Sequence, residues 1–314
     1  VPHSRLILLL GMLMLACGFF MLWGLPSFSP FILTLRAERL LALVVVGAAV
    51  GASTVVFQTV AANRILTPTI MGFDSLFLMV QTGLVFLFGG LSYAALPVTP
   101  KFLLETLLMM LAAMVLFSLL FGRGRRDMHR MILVGVIVGI LFRSLTVFLQ
   151  RLLDPSEFSV VQGAMFASFG AVDLTTLYLA TGLCCLVFAV LVPMLRPLDV
   201  IALGRSPAVG LGVSYDRALV GLLGITAALV AVSTALVGPI SFLGLLVASL
   251  AHALMRTHRH ALLVPAAALI GAVILVVGQG VFERVLGLQS SLAVIVEFFG
   301  GLLFLILVLR GAVR

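Results

Sequence analysis

Ten apolar runs, each about as long as a bilayer is thick, set what this chain can become. A helix rises 1.5 Å per residue, so about 20 apolar residues cross a hydrocarbon core of about 30 Å. Breaks at proline, glycine and charged clusters place the spans at about 6–25, 40–61, 69–90, 101–121, 131–150, 174–195, 218–237, 241–256, 262–282 and 292–309. The first run is too long for a signal-peptide core and is read as a retained span. Of the 314 residues, 63% are hydrophobic and only 10% charged, against roughly 25% charged in a soluble domain. So few charges could not cover so much apolar surface in water. The sequence therefore predicts an all-α integral membrane protein, a single transmembrane domain over 1–314. It excludes soluble enzymes and nucleic-acid binders. No hydrophilic stretch is long enough for a soluble domain, so ATP hydrolysis or substrate capture in solution would fall to another chain.

The net charge of +8 is sorted by side. With the N-terminus inside and ten spans alternating, 13 of the 19 basic residues fall on the inner side with only Asp127, Asp199 and Asp216 among them. The outer side then carries six basic and eight acidic residues. This positive-inside pattern predicts both termini in the cytoplasm.

Three stretches do not read as plain spans. Asn63–Asp74 is polar and broken between two apolar runs. Asp154–Asp173 is an amphipathic outer segment, too polar to cross. Val237-Gly238-Pro239-Ile240-Ser241-Phe242-Leu243-Gly244 is a tight break between spans. A break in each half of a membrane protein points to repeats around a central pathway, while an ordinary loop is the plainer reading.

No HExxH, Walker or nucleophile-elbow pattern is present. His258-Arg259-His260 lacks the i, i+4 spacing of a helical metal site and reads as a charged loop. Cys17, Cys184 and Cys185 lie inside apolar runs and read as packing residues. Buried charges say more, since each is costly in the membrane. Glu297 lies in the last span and Arg143 in the outer half of the fifth. They are expected either to be paired structurally or to line a polar pathway. Asp74 and Glu105 lie near span ends and are expected to reach the interface.

Several motifs occur in order along the chain: Leu35-Arg36-Ala37-Glu38-Arg39-Leu40, Gly47-Ala48-Ala49-Val50-Gly51 with Gln58, and Asn63-Arg64-Ile65-Leu66-Thr67-Pro68 with Met71-Gly72. Leu195-Arg196-Pro197-Leu198 and Ala202-Leu203-Gly204 follow, then Gly238-Pro239-Ile240-Ser241-Phe242-Leu243-Gly244-Leu245 and Gly300-Gly301-Leu302-Leu303-Phe304. In these the chain resembles the FecCD-type permeases, membrane subunits of ABC importers for iron–siderophore complexes, haem and cobalamin. Departures include Glu38 where the family has proline, the inverted Asn63-Arg64 order, and Ala248-Ser249 where it has Pro-His. Asn63–Phe73 and Arg151–Phe158 look like the branch serving the vibriobactin-, anguibactin- and petrobactin-type catecholate systems.

The resemblance implies a cobalamin-importer-permease-like bundle of ten helices in the bacterial inner membrane. It implies two ATPase subunits, a second permease that is homologous or identical, and a substrate-binding protein delivering a ferric siderophore. This chain would bind no cofactor or metal, and ATP would be used by its partner. Arg36, Arg39 and Arg284 match arginines that dock the binding protein. The segment of about 196–217 matches the ATPase-coupling region, with Leu203, Gly204, Arg205, Ala208, Val209, Leu211 and Gly212 as contact residues. The fifth and tenth helices would bring Arg143 and Glu297 to the pathway. Alternatives are an ion-coupled secondary transporter using Arg143 and Glu297, a permease for haem or cobalamin, and a lipid-modifying membrane enzyme, for which no polar catalytic cluster is visible.

Overall fold

The computed structural model describes residues 2–24, 29–121, 128–170, 172–285, 287 and 292–309. The chain opens with α1 (Pro2–Leu22) and α2 (Pro30–Val60). A π-helical turn at Thr69–Phe73 runs into α3 (Asp74–Phe88), followed by the short α4 (Gly90–Ala94), α5 (Val98–Phe121) and α6 (Met128–Leu152). The amphipathic segment after α6 contains α7 (Pro155–Ala164). The second half comprises α8 (Leu174–Ile201), the short α9 (Arg205–Gly210), α10 (Tyr215–Val237), α11 (Leu243–Met255), α12 (His260–Gly280) with a π turn at Val281–Val285, and α13 (Leu292–Leu309). No strand occurs among the described residues. Among the described residues eight helices are long and apolar enough to cross a membrane, and two shorter apolar segments, α11 and Ala293–Leu302 within α13, coincide with the remaining predicted spans.

Two differences from the sequence reading bear on the site. α2 begins at Pro30, ten residues before its predicted span, so Arg36 and Arg39 lie on a continuous helix. Proline at its first turn sacrifices no helical hydrogen bond. α11 has only 13 residues, about 20 Å of helix, and Pro239–Phe242 before it are non-helical backbone.

α2 is the axis of the bundle. It packs against α12, α10, α8, α11 and α1, most extensively against α12. Water-driven burial does not hold helices together in lipid, so close backbone approach does much of the work. The sequence supplies it: a Cβ on Gly47 would lie 2.5 Å from the Gly271 carbonyl carbon, and Gly51 meets the Ala267 backbone closer still. Large residues fill the flanks, with Leu43, Val46, Val55 and Phe57 fully buried.

The two helices run antiparallel, and side chains tie them at each end. At one end Thr59 Oγ1 lies 2.8 Å from His260 Nε2. At the other, Arg39 lies 3.5 Å from Glu283. The His260 end also holds Asp199, which accepts from the His260 backbone N–H and lies 2.6 Å from its Nδ1. That end therefore gathers the start of α12, the C-terminal turns of α8 and α2, and, through the Arg5 hydrogen bond to the Leu254 carbonyl, the start of α1. Asp154 and Glu157 form a capping box on α7, and Glu157 also accepts from the Gly90 backbone, pinning α7 to α4.

Candidate functional site

The two broken stretches meet inside the bundle. After α2 the chain turns through Asn63, whose side chain accepts from the Ile65 backbone, and climbs to the π turn. Gly72 adopts φ 100°, a conformation costly for a side-chain-bearing residue, and its Cα lies against Gly139 of α6. From the other half, Gly238 ends α10 and the Ser168 N–H donates to the Val237 carbonyl at 2.7 Å. Thr69 Oγ1 then donates to the Ser241 carbonyl at 2.7 Å, joining the breaks directly.

Around this junction lies a polar cluster. The Ser241 hydroxyl donates to Asp74 Oδ2 at 2.6 Å and sits 3.4 Å from Glu297 Oε1. Thr67 and Thr69 hydroxyls pair at 2.9 Å. A small void beside it is lined by Ser53, Thr54, Thr69, Ser233 and Thr234 among apolar neighbours. Asp74 Oδ1 is buried with no hydrogen-bond partner among the described residues. Asp74 therefore does not reach the interface as the sequence suggested: the turn before α3 holds it within the bundle. Glu105 is likewise internal, 5% exposed, accepting from the Tyr93 hydroxyl, which also meets Gln81. Burial and the neighbouring Glu105 carboxylate hold the Tyr93 phenol protonated, well above its ordinary range.

Glu297 thus neighbours Ser241 and Asp74. Arg143 sits on an exposed face of α6, a helix that packs on α3, α5 and the π turn. The structure does not bring the two together within one chain. Thr69, Asp74 and Ser241 join the candidate pathway residues through these contacts; in the sequence only the broken stretches that contain them stand out.

The arginines of the opposite end divide by burial. Arg36 is 4% exposed. Its guanidinium donates to the carbonyls of Met21, Trp23 and Gly24 at 2.7, 3.0 and 3.0 Å. These are groups that a helix leaves unpaired at its C-terminus, where a cation is also favoured by the helix dipole. Arg36 therefore fastens α1 to α2. Arg39 is half exposed and leans on Glu283, which also accepts from Gln279 at 2.6 Å. Arg284 follows Glu283 in the π turn; its side chain lies outside the described residues.

At the Asp199–His260 end, the predicted coupling segment forms the last turns of α8, then α9 and the turn into α10. Gly204 precedes α9 with φ 98°. Ala208 faces inward at 0% exposure, while Leu203, Val209 and Leu211 are 63%, 57% and 63% exposed. Arg205 pairs with Asp216 at 2.8 Å. A short apolar ridge with a satisfied charge beside it is suited to a protein groove rather than to water.

A multi-pass helical bundle in which two broken segments meet at an internal polar cluster has the architecture of a membrane permease. The profile of the FecCD transport family matches residues 6–310, and the chain belongs to that family. It is 40% identical over 308 residues to the petrobactin import system permease protein YclO of Bacillus subtilis (strain 168), covering 98% of both chains. It is 32% identical over 285 residues to the petrobactin import system permease protein FatC of Bacillus anthracis, covering 91% of this chain and 80% of that one. The fold is shared with the inward-facing structure of a metal-chelate type ABC transporter, at TM-score 0.83 and 23% identity, over 99% of this chain and all of that chain. The protein is an ABC-importer permease subunit of the bacterial inner membrane, not an enzyme.

Proposed function

We infer that this chain, as a single transmembrane domain over 1–314, carries a ferric siderophore of the catecholate class, petrobactin in particular, from a substrate-binding protein into the cytoplasm. The observation that carries this reading is the 40% identity to a petrobactin permease over 98% of both chains. Energy comes from two separate ATPase subunits, and a second permease, a copy or a homologue, completes the membrane part. The basic end, with Arg5, Arg256, Arg259 and the coupling segment, faces the cytoplasm, as do both termini.

In this arrangement Leu203, Val209 and Leu211 fill a groove on the ATPase. Gly204 and Gly212 shape the backbone, Ala208 anchors the segment from within, and Arg205 lies at the rim. On the far face Arg39 and Arg284 meet acidic residues of the binding protein, with Arg36 behind them holding the platform. Arg143 and Glu297 line the route from different sides, Glu297 sharing its position with Asp74 and Ser241. An intramembrane carboxylate held by a hydroxyl marks a polar pathway rather than a lipid-facing surface.

The test is uptake into proteoliposomes. The complete complex with its binding protein should import ferric petrobactin on ATP addition, and this chain alone should import none. Transport by the chain alone under an ion gradient would replace the reading with a secondary transporter. Import of haem or cobalamin in preference to ferric petrobactin would overturn the substrate.

A further inference from the structure

A cavity of about 580 Å³ opens sideways between α1, α11 and α12. Leu8 and Met12 line it from α1, Leu250 and Leu254 from α11, and Ile270 and Ile274 from α12. Leu8, Met12, Leu250 and Leu254 remain exposed, so this trough faces the hydrocarbon of the bilayer. Its lining is mostly apolar, and Ile274 lies 14 residues along α12 from His260, about 21 Å of helix. That depth matches one leaflet of a hydrocarbon core of about 30 Å together with its headgroup layer.

The charge at its mouth is of one sign. Arg5 and Arg256 both line the cavity at the His260 end of the bundle. Arg5 is half buried and spends one N–H on the Leu254 carbonyl at 2.6 Å, which fixes its guanidinium at the rim and leaves further donors available. Arg256 ends α11 in the left-handed region at φ 47°. Glycine would adopt that conformation without strain, so an exposed arginine there is conformationally costly. Among the described residues no acidic side chain lines the cavity.

The geometry points to a binding site for an anionic glycerophospholipid, with its phosphodiester between Arg5 and Arg256 and one acyl chain along the trough. Two arginines lining one cavity can recognise a phosphate through charge-assisted hydrogen bonds, while the trough supplies contacts that a free anion could not use. A protein segment is the competing occupant, but one filling an apolar trough in the bilayer would bring no required negative charge to meet the arginines.

Native mass spectrometry of the purified full chain, with phosphatidylglycerol or phosphatidylcholine added at equal concentration, tests this. Wild type should retain one phosphatidylglycerol with roughly tenfold or greater preference. Arg5→Gln with Arg256→Gln should abolish the preference. Arg256→Gln alone, which leaves the Arg5 tie to α11 intact, should reduce it several-fold. Ala253→Leu, which narrows the trough, should lower retention of both lipids and leave the remaining preference unchanged. Millimolar inorganic phosphate should not displace the lipid. Equal retention of the two lipids by wild type, preference persisting in the double variant, or displacement by phosphate would each overturn the proposal.

Discussion

Replacing Arg36 by glutamine should destabilise the protein by unfastening α1, whereas the same change at Arg39 should leave stability almost untouched. The Arg36 guanidinium holds three carbonyls at the end of α1 from a site that is 4% exposed. Glutamine is shorter and its one amide nitrogen carries two N–H donors, so it serves two of the three carbonyls at most. Hydrogen bonds from a charged donor contribute about 1.5–3 kcal/mol each, and those lost do not add fully. With water recovering part of the loss near the exposed Trp23, the net cost is about 2–4 kcal/mol. For a chain of 314 residues that lowers the apparent melting temperature by roughly 3–6 °C. Arg39 is 40% exposed and its pair with Glu283 is 3.5 Å long; such surface pairs contribute about 0–1 kcal/mol. Thermal unfolding of the detergent-purified chain, followed by intrinsic or thiol-reactive fluorescence, measures both variants. Reversal to Arg39→Glu should instead weaken binding-protein affinity, with the larger effect at low salt where steering is least screened. A melting temperature for Arg36→Gln within a degree of wild type, or an equal loss in Arg39→Gln, would refute this division between a fastening and a docking arginine.

Val209→Asp with Leu211→Asp should abolish co-purification of the ATPase while leaving melting unchanged, because both side chains are exposed; retained pull-down would remove the coupling assignment. Ala208→Asp should lower the yield of folded protein instead, since it places a carboxylate at a fully buried position, which size-exclusion profiles would reveal. Gly47→Ala forces a methyl against the Gly271 backbone and should cost about 1–3 kcal/mol as an overpacked contact; a normal melting temperature would show that α2 and α12 separate freely.

Hydropathy gives depth in the membrane but not direction around the bundle. That is why all ten apolar segments were legible as helices while the partners of their polar residues were not. Arg143 and Glu297 were matched because both looked buried; the fold sets them on different packing faces. Asp74, Ser241 and Glu297 are separated by 167 and 56 residues, so no local period joins them, yet the polar, Gly- and Pro-containing character of the two breaks did announce where regular helix would fail. The early start of α2 was hidden because Arg36, Glu38 and Arg39 ended the apolar run without ending the helix. Ala208 was read as a contact residue because a helix of six residues is too short to display a buried face. The permease family itself was legible because its motifs recur in order over almost the full chain.

The meeting of Gly47 with Gly271 and of Gly51 with Ala267 also limits how the molecule moves. Sliding α12 by one turn along α2 would carry Leu43 onto Gly271, or Leu275 onto Gly47, where the backbones leave no room for a branched side chain. The two helices therefore behave as a stator. A movement within this chain is then left to elements packed on the pair or beyond it, and α6, seated on the π turn through Gly139 and Gly72, is one such element.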